Sequence, residues 1–176
     1  MNLFKRLFLI LLLAGLQSSW AEGMSEGQIK SAYVLNFSKF VEWPGGVIEA
    51  DGQVTLCVVG SDVLDGALLA LDGRKAGTRQ LHVVSHASAD ENLRSCHVVF
   101  IGESEQRRFV SIIRALGDSP ALTISDIENF AEKGGGIGLL YRENKIVFEV
   151  NLTSTQKSKL HFPAQLLNLA SYVFGK

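Results

Sequence analysis

The chain has 176 residues, with 17 Lys+Arg against 18 Asp+Glu and a formal charge of −1. That balance excludes a nucleic-acid binder working through a basic surface, because phosphate contacts need a cationic excess. Past the first 21 residues no apolar run reaches the roughly 20 residues needed to span a bilayer.

The first element is a leader. Lys5 and Arg6 form a positive n-region, and Leu7 to Leu16 form an apolar h-region. Ser19 and Ala21 are small residues at the −3 and −1 positions of a signal-peptidase site, so cleavage is expected after Ala21. The h-region is about half the length of a stable span, which favours a cleaved signal peptide over a retained anchor. No lipobox cysteine follows it. Loss of residues 1–21 leaves 15 Lys+Arg against 18 Asp+Glu, a formal charge of −3. Residues 22–176 suit one domain with a single sizeable core. Two cysteines, Cys57 and Cys96, remain. Outside the cytoplasm an even count predicts a disulfide, the alternative being two separate buried thiols.

Ser25 opens a capping pattern, Ser25-x-x-Gln28. Ile29, Ala32, Tyr33, Phe37, Phe40 and Val41 then recur at helical spacing, and Pro44 ends the helix. Val54 to Val59 is a continuous apolar run, the mark of a buried strand. Gly60-Ser61-Asp62 makes a tight turn, and Val63, Ala67, Leu68 and Leu71 predict a helix after it. Gln80 to Val84 reads as a second strand, 87–95 as a short polar helix, and His97 to Ile101 as a third strand. A helix is expected over 104–116, capped by Ser104. A fourth strand over 121–124 and a helix over 126–132, capped by Ser125, follow. Gly134-Gly135-Gly136 breaks the pattern. Ile137 to Tyr141 and Ile146 to Val150 flank Arg142-Glu143-Asn144-Lys145 as a hairpin. Two helices close the chain, one over 153–160 and one starting at Pro163 and continuing through Leu166, Leu167, Leu169, Ala170 and Val173. The expected fold is three-layer α/β, a mostly parallel sheet flanked by helices with a C-terminal antiparallel hairpin.

Catalytic motifs are sparse. Gly60 stands alone without G-x-G-x-x-G or a Walker lysine, and there is no G-x-S-x-G. Ser61, Ser104 and Ser125 sit where helix caps belong. His82, His86, His97 and His161 lack a partner at metal-ligand spacing. No catalytic residue, metal or cofactor is predicted. In open α/β sheets ligands bind beyond the carboxyl ends of strands where the order reverses. Gly60, Ser61, Glu103 and Ser125 are the candidate ligand-binding residues there, and ordinary loop polarity is the competing reading. Tyr33, Phe37, Phe40 and Trp43 put four aromatics on or beside one helix. Most should be core, and Phe40, Glu42 and Trp43 are the candidate partner-binding residues.

The run Tyr33-Val34-Leu35-Asn36-Phe37-Ser38-Lys39-Phe40-Val41-Glu42-Trp43-Pro44 resembles the opening motif of the YfiR family of exported bacterial proteins. Leu56-Cys57-Val58-Val59-Gly60, Cys96-His97-Val98-Val99-Phe100-Ile101, Leu122-Thr123-Ile124-Ser125-Asp126 and Leu166-Leu167-Asn168-Leu169-Ala170 resemble later blocks, in order and spacing. The resemblance implies a periplasmic protein, not an enzyme. It implies binding to the periplasmic region of an inner-membrane diguanylate cyclase, repression of cyclic di-GMP signalling and biofilm formation, and sequestration by an outer-membrane lipoprotein. A homodimer is a further expected assembly. The resemblance also implies pairing of Cys57 with Cys96. Some members carry a second cysteine pair, which this chain lacks. The alternative function is a periplasmic small-molecule-binding sensor module with a different partner.

Overall fold

The computed structural model describes residues 23–48, 52–61, 63–87 and 93–176. The predicted leader and most of the predicted helix over 87–95 lie outside them. Helix α1 spans Glu26–Phe40 and opens with the predicted capping box, in which Gln28 N–H donates to Ser25 Oγ and Ser25 N–H donates to Gln28 Oε1. Its buried stripe is Gly27, Lys30, Ser31, Val34, Phe37 and Ser38. The stripe is rotated from the one expected, and Ile29 and Phe40 face outward. Small residues explain the rotation. A Cβ at Gly27 would come within 2.8 Å of the Leu64 carbonyl oxygen, so the helix lies closer than any larger residue would permit. Ser31 and Ser38 satisfy their own hydroxyls on Gln28 O and Val34 O, one turn back.

The sheet comprises β1 (Gln53–Val59), β2 (Lys75–Ala76), β3 (Arg79–His86), β4 (Val98–Ile101), β5 (Leu122–Ser125), β6 (Ile137–Arg142), β7 (Lys145–Asn151) and β8 (Tyr172–Phe174). Their order is β2-β3-β1-β4-β5-β6-β7-β8. Strands β3, β1, β4, β5 and β6 run parallel, and β2 and β7 are antiparallel to their neighbours β3 and β6. The central strands are buried on both faces, and their side chains alternate between two apolar layers. Leu56, Val58, Val98 and Phe100 pack with Val34 and Phe37 of α1. Cys57, Val59, Val99 and Ile101 pack on the other face with Phe109, Ile112 and Leu116 of helix α2 (Phe109–Leu116). This is the predicted three-layer, mostly parallel α/β fold. The hairpin forms as expected, and Glu143 and Asn144, at φ 47° and 65°, make the two-residue turn that matches strand twist.

Several predicted helices do not form. Residues 63–71 form two short 3₁₀ turns, because Leu64, Asp65 and Gly66 take left-handed backbone (φ 48°, 50° and 76°). Leu68 and Leu71 are buried as their spacing implied, without a continuous helix. The helix expected from Ser104 starts at Phe109, since Ser104 Oγ accepts from Ser61 N–H across the neighbouring loop. Residues 126–132 form turns. Ser125 Oγ accepts from Ile127 N–H, but Asn129 at φ 59° breaks any helix. Helix α3 (Leu152–Lys157) is capped by Asn151, and α4 is only Ala164–Leu167. Beyond α4 the chain becomes β8, parallel to β7. Tyr172, Val173 and Phe174 favour a half-buried strand. The Ser171 N–H and hydroxyl both donate to Phe148 O and dock that strand on the edge of β7.

Candidate functional site

The chain leaves β1 for β3 on one side and returns for β4 on the other. The sheet order therefore reverses between β1 and β4, and a crevice opens beyond their carboxyl ends. Backbone hydrogen bonds fix its floor. Gly60 N–H donates to His86 O at 3.0 Å and Gly102 N–H to Val59 O at 2.8 Å. Gly60 sits at φ +117°, where a Cβ would lie 2.5 Å from Ser104 Oγ, so this turn needs glycine.

The cleft above it holds about 550 Å³, and Lys30, Ser61, Asp65, Glu103, Ser104 and Asp126 line it. Lys30 is its one buried cation, with Nζ 2.6 Å from Glu26 Oε1 and 2.8 Å from Asp126 Oδ2. Burial disfavours the lysine charge, but hydrogen bonds and attraction from Asp126 and Glu26 outweigh it and hold its pKa above the ordinary value. Carboxylates exceed amines here, so the cleft is electronegative.

Of the four predicted ligand residues, Ser61 and Glu103 line this cleft. Gly60 shapes its floor. Ser125 is fully buried beneath, where its hydroxyl donates to Ile101 O at 2.6 Å. Lys30 escaped sequence reasoning. Its signal is the i,i+4 pair Glu26 and Lys30 in the first turns of α1, a spacing more often found on solvated faces.

Helix α1 carries the chain from this cleft to the other end of the sheet, about 22 Å away at 1.5 Å per residue. There the predicted partner residues separate. Phe40 is 47% exposed, with Lys39 Nζ 5.1 Å above its ring. Glu42 is exposed while its backbone pairs with His161 in an isolated antiparallel bridge. Trp43 is half-buried against the α1-face core, and its indole N–H donates to His97 O at 3.3 Å.

His97 pins this segment. Its Nδ1 accepts from Thr55 N–H at 2.9 Å, which leaves Nε2–H to donate to Val47 O at 3.3 Å. Acceptance at Nδ1 needs the neutral ring, because a protonated imidazole donates from both nitrogens. Burial lowers the His97 pKa below 6.5; the Val47 carbonyl opposes this, and Arg79 adds to it. As pH falls below 6.5 the unfolded chain takes up a proton that the folded one resists. Stability present above pH 6.5 is therefore lost as pH falls through the folded value. The expected result is a Tm that declines as pH falls below 6.5, with that part of the decline absent in His97→Asn. An identical decline in the variant refutes this role.

Cys57 and Cys96 are joined, with Cα atoms 5.9 Å apart. His86 lies beside them, with a ring nitrogen within 4.8 Å of both sulfurs. The bond occupies both sulfurs, so the trio is no metal centre in the oxidised protein. His82 is exposed beside Asp72, and His161 is exposed with its backbone paired to Glu42.

The single reversal of strand order makes this a doubly wound α/β domain, locked by one disulfide beneath its central strands. Solved structures share the fold, and two of them illustrate the likeness. One is a conserved domain protein from Vibrio cholerae O1 biovar El Tor, with TM-score 0.59 and 11% identity, covering 85% of this chain and 60% of that one. The other is an ABC domain from Streptococcus pneumoniae in complex with L-tryptophan, with TM-score 0.51 and 11% identity, covering 69% and 55%. The chain thus spans less than two thirds of either structure's length, and the likeness is one of fold. The chain belongs to the YfiR/HmsC-like family, whose model matches residues 27–171. That family is regulatory rather than catalytic, and both it and the disulfide fit a periplasmic protein.

Proposed function

We propose that this chain is a periplasmic regulator that binds and represses an inner-membrane diguanylate cyclase, and so lowers cyclic di-GMP signalling and biofilm formation. The family match over residues 27–171 carries this reading. Repression works by population shift: the regulator binds the inactive cyclase conformation more tightly than the active one. An outer-membrane lipoprotein that sequesters the regulator releases the enzyme. Phe40 and Glu42 form the contact surface, and Trp43 supports it from behind.

Residues 22–176, oxidised and folded, should recover a membrane protein with a cytoplasmic diguanylate cyclase domain from the native membrane fraction. Phe40→Glu is expected to lose that recovery at least tenfold with Tm unchanged within a few degrees, because Phe40 is half exposed. Trp43→Ala is expected to lose both recovery and stability. A Phe40→Glu variant that captures the cyclase as the wild type does removes this surface from the proposal. Reproducible absence of any cyclase removes the function.

The second reading is a small-molecule sensor, supported by the cleft of about 550 Å³ at the strand reversal. The Streptococcus pneumoniae neighbour, solved with L-tryptophan, lends it an analogy of fold. The excess of carboxylates favours a ligand bearing an ammonium group. Such a ligand raises Tm by binding only the folded state. No shift across a panel of amines and amino acids at millimolar concentration dismisses it.

A further inference from the structure

A second cavity, of about 320 Å³, lies at the opposite end of the sheet, between α2 and α3 at the start of β5. Its walls are mostly apolar, with Val110, Ile113 and Leu116 from α2, Leu122 from β5 and Leu160 after α3, while Ser154, Thr155 and Ser158 add hydroxyls on the α3 side. Leu116, Leu122 and Leu160 are buried, whereas Val110 is 43% exposed. A concave, mostly apolar wall with a few polar groups placed at its rim is the usual form of a small-ligand site.

The charged side chains lining the cavity are all of one sign. Arg114 from α2, Lys133 from the turn before Gly134 and Lys157 from α3 line it, and no carboxylate among the described residues does. Lys157 reaches Asp118 at 3.5 Å, but both side chains are largely exposed, so the pair is weak and open to competition. Three cations around one pocket run against a chain whose formal charge is −1. Gly134 and Gly136 keep the backbone close to the opening. In Gly136 a Cβ would lie 2.8 Å from Thr123 O, so this wall cannot be built with a larger residue.

We infer that this cavity binds a small anionic amphiphile: a carboxylate on a compact apolar body. The body fills the space against Val110, Ile113 and Leu160. The carboxylate sits at the rim, where Arg114 offers a planar two-donor fork and Lys133 and Lys157 offer point charges. Apolar burial supplies the affinity and the cationic rim supplies the selection of sign. The site differs from the strand-reversal cleft in position and in charge, since that cleft is rich in carboxylates.

The test is calorimetric titration of oxidised residues 22–176 with octanoate, 1-octanol and octylammonium at low ionic strength. Octanoate is expected to bind with one site and at least tenfold tighter than octanol, with octylammonium weaker still. Arg114→Glu/Lys133→Glu is expected to lose at least tenfold in octanoate affinity while its Tm stays within a few degrees of wild type, since both positions are exposed. Val110→Trp, which fills the entrance, is expected to weaken octanoate and octanol alike. Failure of octanoate to bind at its solubility limit overturns the inference. Equal affinities for octanoate and octanol, or octanoate binding unchanged in the charge-reversed variant, also overturn it.

Discussion

Residues 22–176 carrying Cys57→Ala and Cys96→Ala should unfold with about 4 kcal/mol less stability than the oxidised wild type. The two cysteines are 39 positions apart. Cross-linking a loop of that size removes an entropy from the unfolded chain worth on the order of 4 kcal/mol at 25 °C. For a domain of this size that corresponds to a fall in Tm of roughly 10 °C. The bond ties central β1 to the residue two before β4, and the loop it closes contains β2 and β3. Strands β1 and β4 lie on either side of the reversal, so loss of the bond loosens the floor of the cleft as well as the global fold. Both cysteines are buried, so alanine also removes core contacts on the α2 face. Urea denaturation of both proteins measures the difference. A variant as stable as the wild type would show that the sulfurs serve only as small apolar fillers.

Lys30→Met should cost about 3 kcal/mol. Its side chain is 10% exposed and that of its partner Asp126 is 13% exposed. Removing the ammonium leaves a carboxylate with little access to water, and breaking a buried pair in this way typically costs 3–5 kcal/mol. Glu26 contributes less, because its side chain is 49% exposed and water screens it. Replacing both members, Lys30→Met with Asp126→Leu, should recover at least half of the loss, since an apolar pair of similar size does not leave a charge behind. A single variant within about 0.5 kcal/mol of wild type, the range of ordinary surface substitutions, would mean that the pair is effectively solvated. The pair also joins the start of α1 to the residue after β5, so the same substitution should change any ligand affinity of the cleft.

Those parts of the structure set by local rules were legible in the sequence. The capping box at Ser25 and Gln28, the apolar runs of β1 and β4 and the hairpin turn at Glu143 and Asn144 each follow from a few adjacent residues. The misreadings arise where tertiary contact overrides local preference. Residues 63–71 have helical spacing of apolar residues, but the close approach of Leu64 to Gly27 goes with left-handed backbone that no helix accommodates. The C-terminal apolar run has both helical spacing and strand-forming residues, and an open edge on β7 decides for the strand. Helix α1 buries serine, glycine and lysine while exposing Phe40 and Ile29, because the close approach of Gly27 to the Leu64 carbonyl admits no larger residue there. The candidate sites were legible only in outline. The strand ends carrying Ser61 and Glu103 could be located from the alternation of strands and turns. Lys30 and the basic cavity could not, since each is assembled from positions distant in sequence.

The proposed repression of a diguanylate cyclase acts by contact at the Phe40 end of α1. It is tested most directly by measuring intracellular cyclic di-GMP in a strain lacking the gene. The strain is complemented in turn with the wild-type chain and with Phe40→Glu, both confirmed as folded and exported. Repression predicts a several-fold rise in cyclic di-GMP on deletion, restored by the wild-type chain and left raised by Phe40→Glu. Cyclic di-GMP unchanged by deletion would contradict the function, and full restoration by Phe40→Glu would contradict the surface.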